Sequence, residues 1–399
     1  MSPPSVLSAS SLMDEAASRA GSDDWGNGAF IPALTLLVQS CQRTASLTPG
    51  GWRVLRSVVL RHLRNRLGLA ERLRRNPGLA STAVPAVVVT GLPRTGTTLI
   101  HNLLALDPEL RALRLWEALR PFPAPGPEGP GTTTLVEQAN AWLANFYELA
   151  PDMRAIHALS AEGPEECDAL LQNSFASQHL DDMFDAEDYS AWFANDPLDE
   201  AYRYFAVQLA ALSETALLEG SPGAERGAGT WVLKSPGHLG HLDALLGALP
   251  GAVVVHCHRN PLEAVPSYAS LIRTVRAPHT ERLDAAVVGR QALDRSCRAV
   301  RRALDVRNSG GDGPFLDLAY TGLVGDPLGV MTEVYERFGR PLRPALVARM
   351  EQWLDANPQH LHGPHPYAMG EFGLRTGQVS EAFASYLDRF GALLEAPAR

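Results

Sequence analysis

Residues 85–104 read P-A-V-V-V-T-G-L-P-R-T-G-T-T-L-I-H-N-L-L, and this stretch decides the fold. The β-branched run Val87, Val88 and Val89 stops at Gly91. A turn with Gly91, Pro93 and Gly96 follows, and the hydroxyl pair Thr97 and Thr98 opens an apolar helical run. Strand, glycine turn and helix start together make an anion site. First-turn N–H groups have no partner inside the helix, and the helix dipole adds partial positive charge there. Phosphate is the ligand such a place suits.

The spacing Gly91-x4-Gly96 fits a Walker A loop, yet Thr97 stands where that loop needs Lys. The cation has moved inside the loop, to Arg94. No later strand ends in the Asp that would hold Mg²⁺ in a nucleotide triphosphatase. The loop therefore suits a phosphate-like group without a metal-bridged triphosphate.

Working outward, the chain has 399 residues, 45% of them apolar, enough for a large core in one elaborated domain or two. Its net charge of −9 provides no global basic field for nucleic acid. Cys41, Cys167, Cys257 and Cys297 are too scattered for a metal site or a disulfide framework and suit a reducing compartment. The first residues lack a basic segment followed by an apolar one, and no apolar run is long enough to span a bilayer, so a cytoplasmic protein is expected. Among 35 basic residues only Lys234 is a lysine. A position that keeps Lys where Arg serves everywhere else points to a need for a compact ammonium.

Residues 1–80 read as a helical N-terminal extension, with an Arg-rich amphipathic pattern from Trp52 to Arg75. Its arginines could meet an anionic partner, although a solvated helix face explains them more simply. The α/β unit, 81–399, follows. Its elements are a first strand at Val87–Val89, a second at Leu113–Glu117, then Thr230–Lys234, Ala252–His258 and Phe315–Tyr320, alternating with helices. That alternation predicts an α/β fold: three layers, a mainly parallel sheet of P-loop type. Between strands, Pro121–Gly131 is a Pro/Gly loop near the site, and 132–218 is an aromatic-rich helical insertion, read as an acceptor lid. Asp181, Asp182, Asp185, Glu187 and Asp188 lack the pattern of a calcium loop and read as solvated surface. Arg94, Glu117, Lys234, His238, Arg259 and Tyr320 all fall at or just beyond strand ends, where such sheets place their sites.

Three segments together resemble the bacterial P-loop sulfotransferases that use 3′-phosphoadenosine 5′-phosphosulfate. T-G-L-P-R-T-G-T-T-L, Thr90–Leu99, is similar to the family's 5′-phosphosulfate loop. H-R-N-P-L-E-A-V-P-S, His258–Ser267, is similar to its 3′-phosphate motif, with Arg259 and Ser267 eight residues apart. L-K-S-P-G-H, Leu233–His238, matches its Lys and His segment. D-L-A-Y-T-G-L-V-G-D-P, Asp317–Pro327, is similar to its strand and loop near the nucleotide. The resemblance spans about 85–340.

The resemblance implies sulfuryl transfer to a hydroxyl of a small-molecule or lipid-like acceptor, with 3′-phosphoadenosine 5′-phosphosulfate as co-substrate and no metal. Thr95, Gly96, Thr97 and Thr98 would hold the 5′-phosphate, and Arg94 would neutralise charge on the bridging oxygen. Many relatives place Lys where Arg94 stands. Arg259 and Ser267 would bind the 3′-phosphate and Tyr320 the nucleotide. Either His238 or Glu117 would be the base, with Lys234 beside the leaving oxygen or the sulfuryl group. Arg375, in the stretch 365–377, would close over the 3′-phosphate, although the Lys of the family's Arg-Lys-Gly element is absent. A small-molecule P-loop kinase and a non-catalytic nucleotide- or partner-binding domain remain the alternatives. The sequence names neither the acceptor nor the oligomeric state.

Overall fold

The computed structural model describes residues 7–123, 131–218, 229–358 and 367–395. Five strands form one sheet: β1 (Ala86–Gly91), β2 (Leu110–Ala112), β3 (Thr230–Lys234), β4 (Val253–His258) and β5 (Phe315–Ala319). Their spatial order is β2-β3-β1-β4-β5, and every pairing is parallel. β1 is central, pairing Val88 with Leu233 of β3 and with Val254 of β4. The connection after β1 leads to one side of it and β4 lies on the other, so the crevice beyond Gly91 is the topological switch point where α/β sheets bind ligands.

Period-two alternation along β1 divides the core. Val87 and Val89 pack with Ile100, Leu103 and Met331 on one face. Ala86 and Val88 pack on the other with Leu233, Leu245 and Val300. Helices thus cover both faces, which gives the expected three layers and explains why β1 is apolar along its whole length. Three helices precede the sheet, Ala9–Ala20, Ile31–Arg43 and Pro49–Arg75. Thr48 caps the last through its hydroxyl, with Pro49 at the first helical position, so the Pro-Gly-Gly stretch starts this helix. The insertion is helical from Thr132–Leu149 through Asp199–Leu218. Most of the Pro/Gly loop, 124–130, lies outside the described residues. Among the described residues no helix is long and apolar enough to cross a membrane.

Three local expectations are corrected. The second strand is Leu110–Ala112, and Leu115–Leu119 is a short helix. Glu117 sits at its third position and accepts the Arg114 backbone N–H at 3.0 Å, a capping arrangement that favours helix over strand. The acidic group is only in part a solvated surface: Glu187 and Asp188 are exposed, but Asp181 and Asp182 are buried, each 2.8 Å from Arg295, and Asp185 lies 2.9 Å from Arg276. Nor is the Arg-rich helix solvated throughout. Arg66 is buried with its guanidinium 3.9 Å from the centre of the Phe30 ring and 4.1 Å from that of Tyr204, and donates to the Asn173 carbonyl.

Arg295 holds two buried carboxylates, and truncating one member of such a group leaves the others charged and unpaired. Arg295→Met is expected to lower unfolding free energy by about 3–5 kcal/mol. Urea denaturation measures it; a change below about 1 kcal/mol would mean that the cluster is internally neutralised.

Candidate active site

The turn after β1 is shaped by two close approaches. A Cβ on Gly91 would lie 2.3 Å from the Cys257 carbonyl oxygen at the end of β4, so only glycine fits. Gly96 has φ +88, and a Cβ there would press on Leu323 and Tyr320 at 2.7 and 3.1 Å. Thr95 is buried behind the loop and donates to the Leu92 carbonyl at 2.7 Å. Thr90 donates to the Ser235 carbonyl at 2.9 Å, joining the ends of β1 and β3. Thr97 and Thr98 open the helix Thr97–Ala105, and with Pro93, Arg94 and Gly96 they line a cleft of about 2160 Å³.

Arg94 has a left-handed backbone, φ 72. Its guanidinium donates to the Ser267 hydroxyl at 3.3 Å and to the Ile156 carbonyl at 2.7 Å. Arg259, just beyond β4, donates to the Arg94 carbonyl at 2.9 Å, lies 4.2 Å from the Tyr320 ring centre and pairs with Glu263 at 2.8 Å. Ser267 reaches the same place because Pro261–Arg276 is a helix whose interior Pro266 directly precedes it. The structure therefore gathers Arg94, Gly96, Thr97, Thr98, Arg259, Ser267 and Tyr320 on one wall of the cleft. Arg375 is not among them; it is exposed, at the cap of Thr376–Ala382.

The two residues expected as the base, His238 and Glu117, and Lys234, expected beside the leaving oxygen or the sulfuryl group, do not line the cleft. His238 is buried and does not line the cleft. Its Nδ1 is 2.8 Å from the Tyr202 hydroxyl and its Nε2 is 3.0 Å from Cys167 Sγ. Burial pushes its pKa down to about 4. The cause is the turn: Ser235 accepts the Gly237 N–H, and the tight helix Pro236–His241 turns the imidazole inward. Glu117 is held by Arg111 at 2.8 Å and by its own capping bond, also away from the cleft. Lys234 is 1% exposed, with Nζ 2.5 Å from Glu166.

Glu166, which sequence reasoning missed, does line the cleft. Burial raises its pKa, but Lys234 and then His157 outweigh that, so it stays below the usual glutamate range. His157 also lines the cleft, 3.7 Å from Glu165. The available signal was the solitary lysine, which needed a counter-charge, together with the Glu165-Glu166 pair in the insertion. Part of the wall is apolar, with Leu119, Trp142, Phe146, Met153 and Leu271. The Trp142 and Phe146 rings are stacked at 5.1 Å.

The turn after β1, the Arg259–Ser267 element, the Glu166 carboxylate paired with Lys234 and a set of apolar side chains thus meet at one cleft. The sequence pattern of the Sulfotransferase family matches residues 85–344. The chain is 25% identical over 347 residues to the omega-hydroxy-beta-dihydromenaquinone-9 sulfotransferase Stf3 of Mycobacterium bovis and to that of Mycobacterium tuberculosis, covering 82% of this chain and 80% of each relative. In three dimensions it is similar to sulfotransferase STF9 from Mycobacterium avium, with a TM-score of 0.82, 28% identity and 100% of both chains covered. STF1 from Mycobacterium tuberculosis is similar with a TM-score of 0.80 and 28% identity, over 95% of this chain and 99% of that one.

Buried neutral histidines make stability depend on pH. Burial pushes His62, His101 and His241 down to about 3 and His238 to about 4, from an ordinary 6.5. Below 6.5 the unfolded chain binds protons that the folded chain does not, so stability falls with pH. Each such histidine contributes up to about 1.4 kcal/mol per pH unit. Urea midpoints at pH 7 and pH 5.5 should show this loss, and His238→Gln should make it shallower by about one histidine's share. An unchanged slope in the variant would place His238 in a solvated setting.

Proposed function

The chain belongs to the sulfotransferase family, and on that premise we propose that it transfers a sulfuryl group from 3′-phosphoadenosine 5′-phosphosulfate to a hydroxyl of an apolar, lipid-like acceptor. One observation carries this reading: the Gly91–Thr98 turn and the Arg259–Ser267 element meet through Arg94, whose side chain bonds Ser267 while its carbonyl accepts from Arg259. That junction fits a donor with phosphate at both the 5′ and 3′ positions. Two arginines, the hydroxyls of Thr97, Thr98 and Ser267 and a helix start provide donors and positive charge, as such an anion requires. Tyr320, against Arg259, is placed to bound the nucleotide.

We assign the base to Glu166. His238 and Glu117 are spent on internal bonds, whereas Glu166 is ionised and borders the cleft. The acceptor oxygen attacks sulfur and forms the new S–O bond as its proton passes to Glu166. The S–O bond to the 5′-phosphate breaks, and adenosine 3′,5′-bisphosphate leaves with that oxygen. Arg94 neutralises the charge growing there. Lys234 acts as a positioning residue, fixing the Glu166 carboxylate rather than reaching the reacting atoms.

The acceptor enters against Trp142, Phe146, Met153 and Leu271, so the helical insertion provides its lid. That wall suits a hydrocarbon-bearing alcohol better than a sugar, since each buried methylene contributes about 0.8 kcal/mol. Two of the mycobacterial relatives are named for a hydroxylated menaquinone, which agrees with an apolar acceptor.

Calorimetry tests the donor and turnover tests the base. Wild type should bind adenosine 3′,5′-bisphosphate, and Arg259→Ala should weaken that binding by about ten- to a hundredfold through loss of a charge-assisted contact. Glu166→Gln should bind it normally yet lose about 10²–10⁴ in kcat. Absence of bisphosphate binding by wild type overturns the donor, and normal turnover by Glu166→Gln overturns the base.

A further inference from the structure

The arginines around the cleft divide by partner. Arg19 and Arg56 share Glu15, Arg74 and Arg75 share Glu71, and Arg259 has Glu263. Arg61, Arg64 and Arg120 also line the cleft, but none has a carboxylate partner among the described residues. Arg61 and Arg64 lie one turn apart on Pro49–Arg75, and Arg120 caps the end of Leu115–Leu119. Among the described residues the side-chain hydrogen bond of Arg61 is to the His62 ring, at 3.3 Å, and its Nε is buried without a hydrogen-bond partner. Arg120 makes a long contact with the neutral Gln138, 3.4 Å.

Like charges this close repel. Burial and then Arg64 push the Arg61 guanidinium down to about 10; loss of hydration and then Arg120 push Arg64 down as well. The nearest ring, His62, is kept neutral by burial and then by Arg61. Nothing described in this corner supplies negative charge, although the protein as a whole carries −9. An arriving oxyanion would relieve the repulsion and satisfy the buried Nε. The Arg64 and Arg120 corner belongs to the acceptor side of the cleft, because Leu119, next to Arg120, packs with Trp142 and Phe146.

We propose that Arg61, Arg64 and Arg120 form an acceptor subsite for an oxyanion, such as a phosphate or carboxylate, carried by an otherwise apolar acceptor away from its reacting hydroxyl. The proposal rests on the assignment of the Trp142 wall to the acceptor. It makes the enzyme selective for amphiphilic anions over neutral alcohols of the same length.

Decyl phosphate and 1-decanol, titrated calorimetrically as monomers into the full chain, test this. Wild type should bind decyl phosphate at least about tenfold more tightly than 1-decanol, as expected for charge-assisted bonds. The margin should fall to about twofold or less in Arg64→Gln/Arg120→Gln, two substitutions near the rim, and should shrink in Arg61→Gln. Equal affinities in wild type, or a margin that survives in the double variant, overturn the proposal. So does Arg64-dependent binding of phosphatidylglycerol vesicles by a protein that ignores monomeric decyl phosphate, since the arginines would then face a bilayer. All titrations are run with and without adenosine 3′,5′-bisphosphate. Failure of the bisphosphate to bind speaks against the donor assignment, and the decyl phosphate margin alone decides the subsite.

Discussion

The site depends on how closely the end of β1 is pressed against its neighbours. Gly91 has no room for a side chain beneath the Cys257 carbonyl, and Gly96 has none against Leu323 and Tyr320. With both ends of the turn fixed, Arg94 is carried into a left-handed backbone, which costs a non-glycine residue roughly 1–2 kcal/mol. Three bonds offset that strain: the guanidinium to Ser267 and to the Ile156 carbonyl, and the Arg94 carbonyl from Arg259. The strained residue is thus the one that ties the turn after β1, the segment after β4 and the insertion together. A loop free to relax would leave these elements as neighbours without a common geometry.

This also explains how much was legible in the chain. The buried parallel strands and the two phosphate motifs are contiguous, and the strand-turn-helix code is local, so their residues could be read directly. Where a non-local partner decides the outcome, local reading failed. Asp181 and Asp182 look like surface residues until Arg295, more than a hundred positions later, is folded against them. Arg66 looks solvated until Phe30 and Tyr204 enclose it. Leu113–Glu117 has strand-like residues, but the Glu117 carboxylate makes a helix start there.

The solitary lysine illustrates both sides. Its singularity marked a special position, and the structure shows it buried at the end of β3 on one carboxylate. An ammonium is compact enough for that setting, where a planar guanidinium would need several acceptors. The partner Glu166 lies 68 residues earlier, in a segment with no strand or helix periodicity to flag it. His238 had the right sequence neighbourhood and the wrong direction, because the turn after Lys234 is a tight helix that points the ring into the core. Proximity in sequence to a reactive residue gives no side-chain direction; only the backbone path does.

Arginine does three different physical tasks in this protein, separable by what each one touches. Arg66 is a stacked core residue, Arg74 and Arg75 share the single carboxylate of Glu71, and Arg61, Arg64 and Arg120 line the cleft with no carboxylate partner among the described residues. A chain of net charge −9 that leaves cations unneutralised in a concave, partly apolar cleft concentrates positive potential there, since field lines focus in low-dielectric depressions. Charge distribution, rather than total charge, therefore sets the local potential around Arg94.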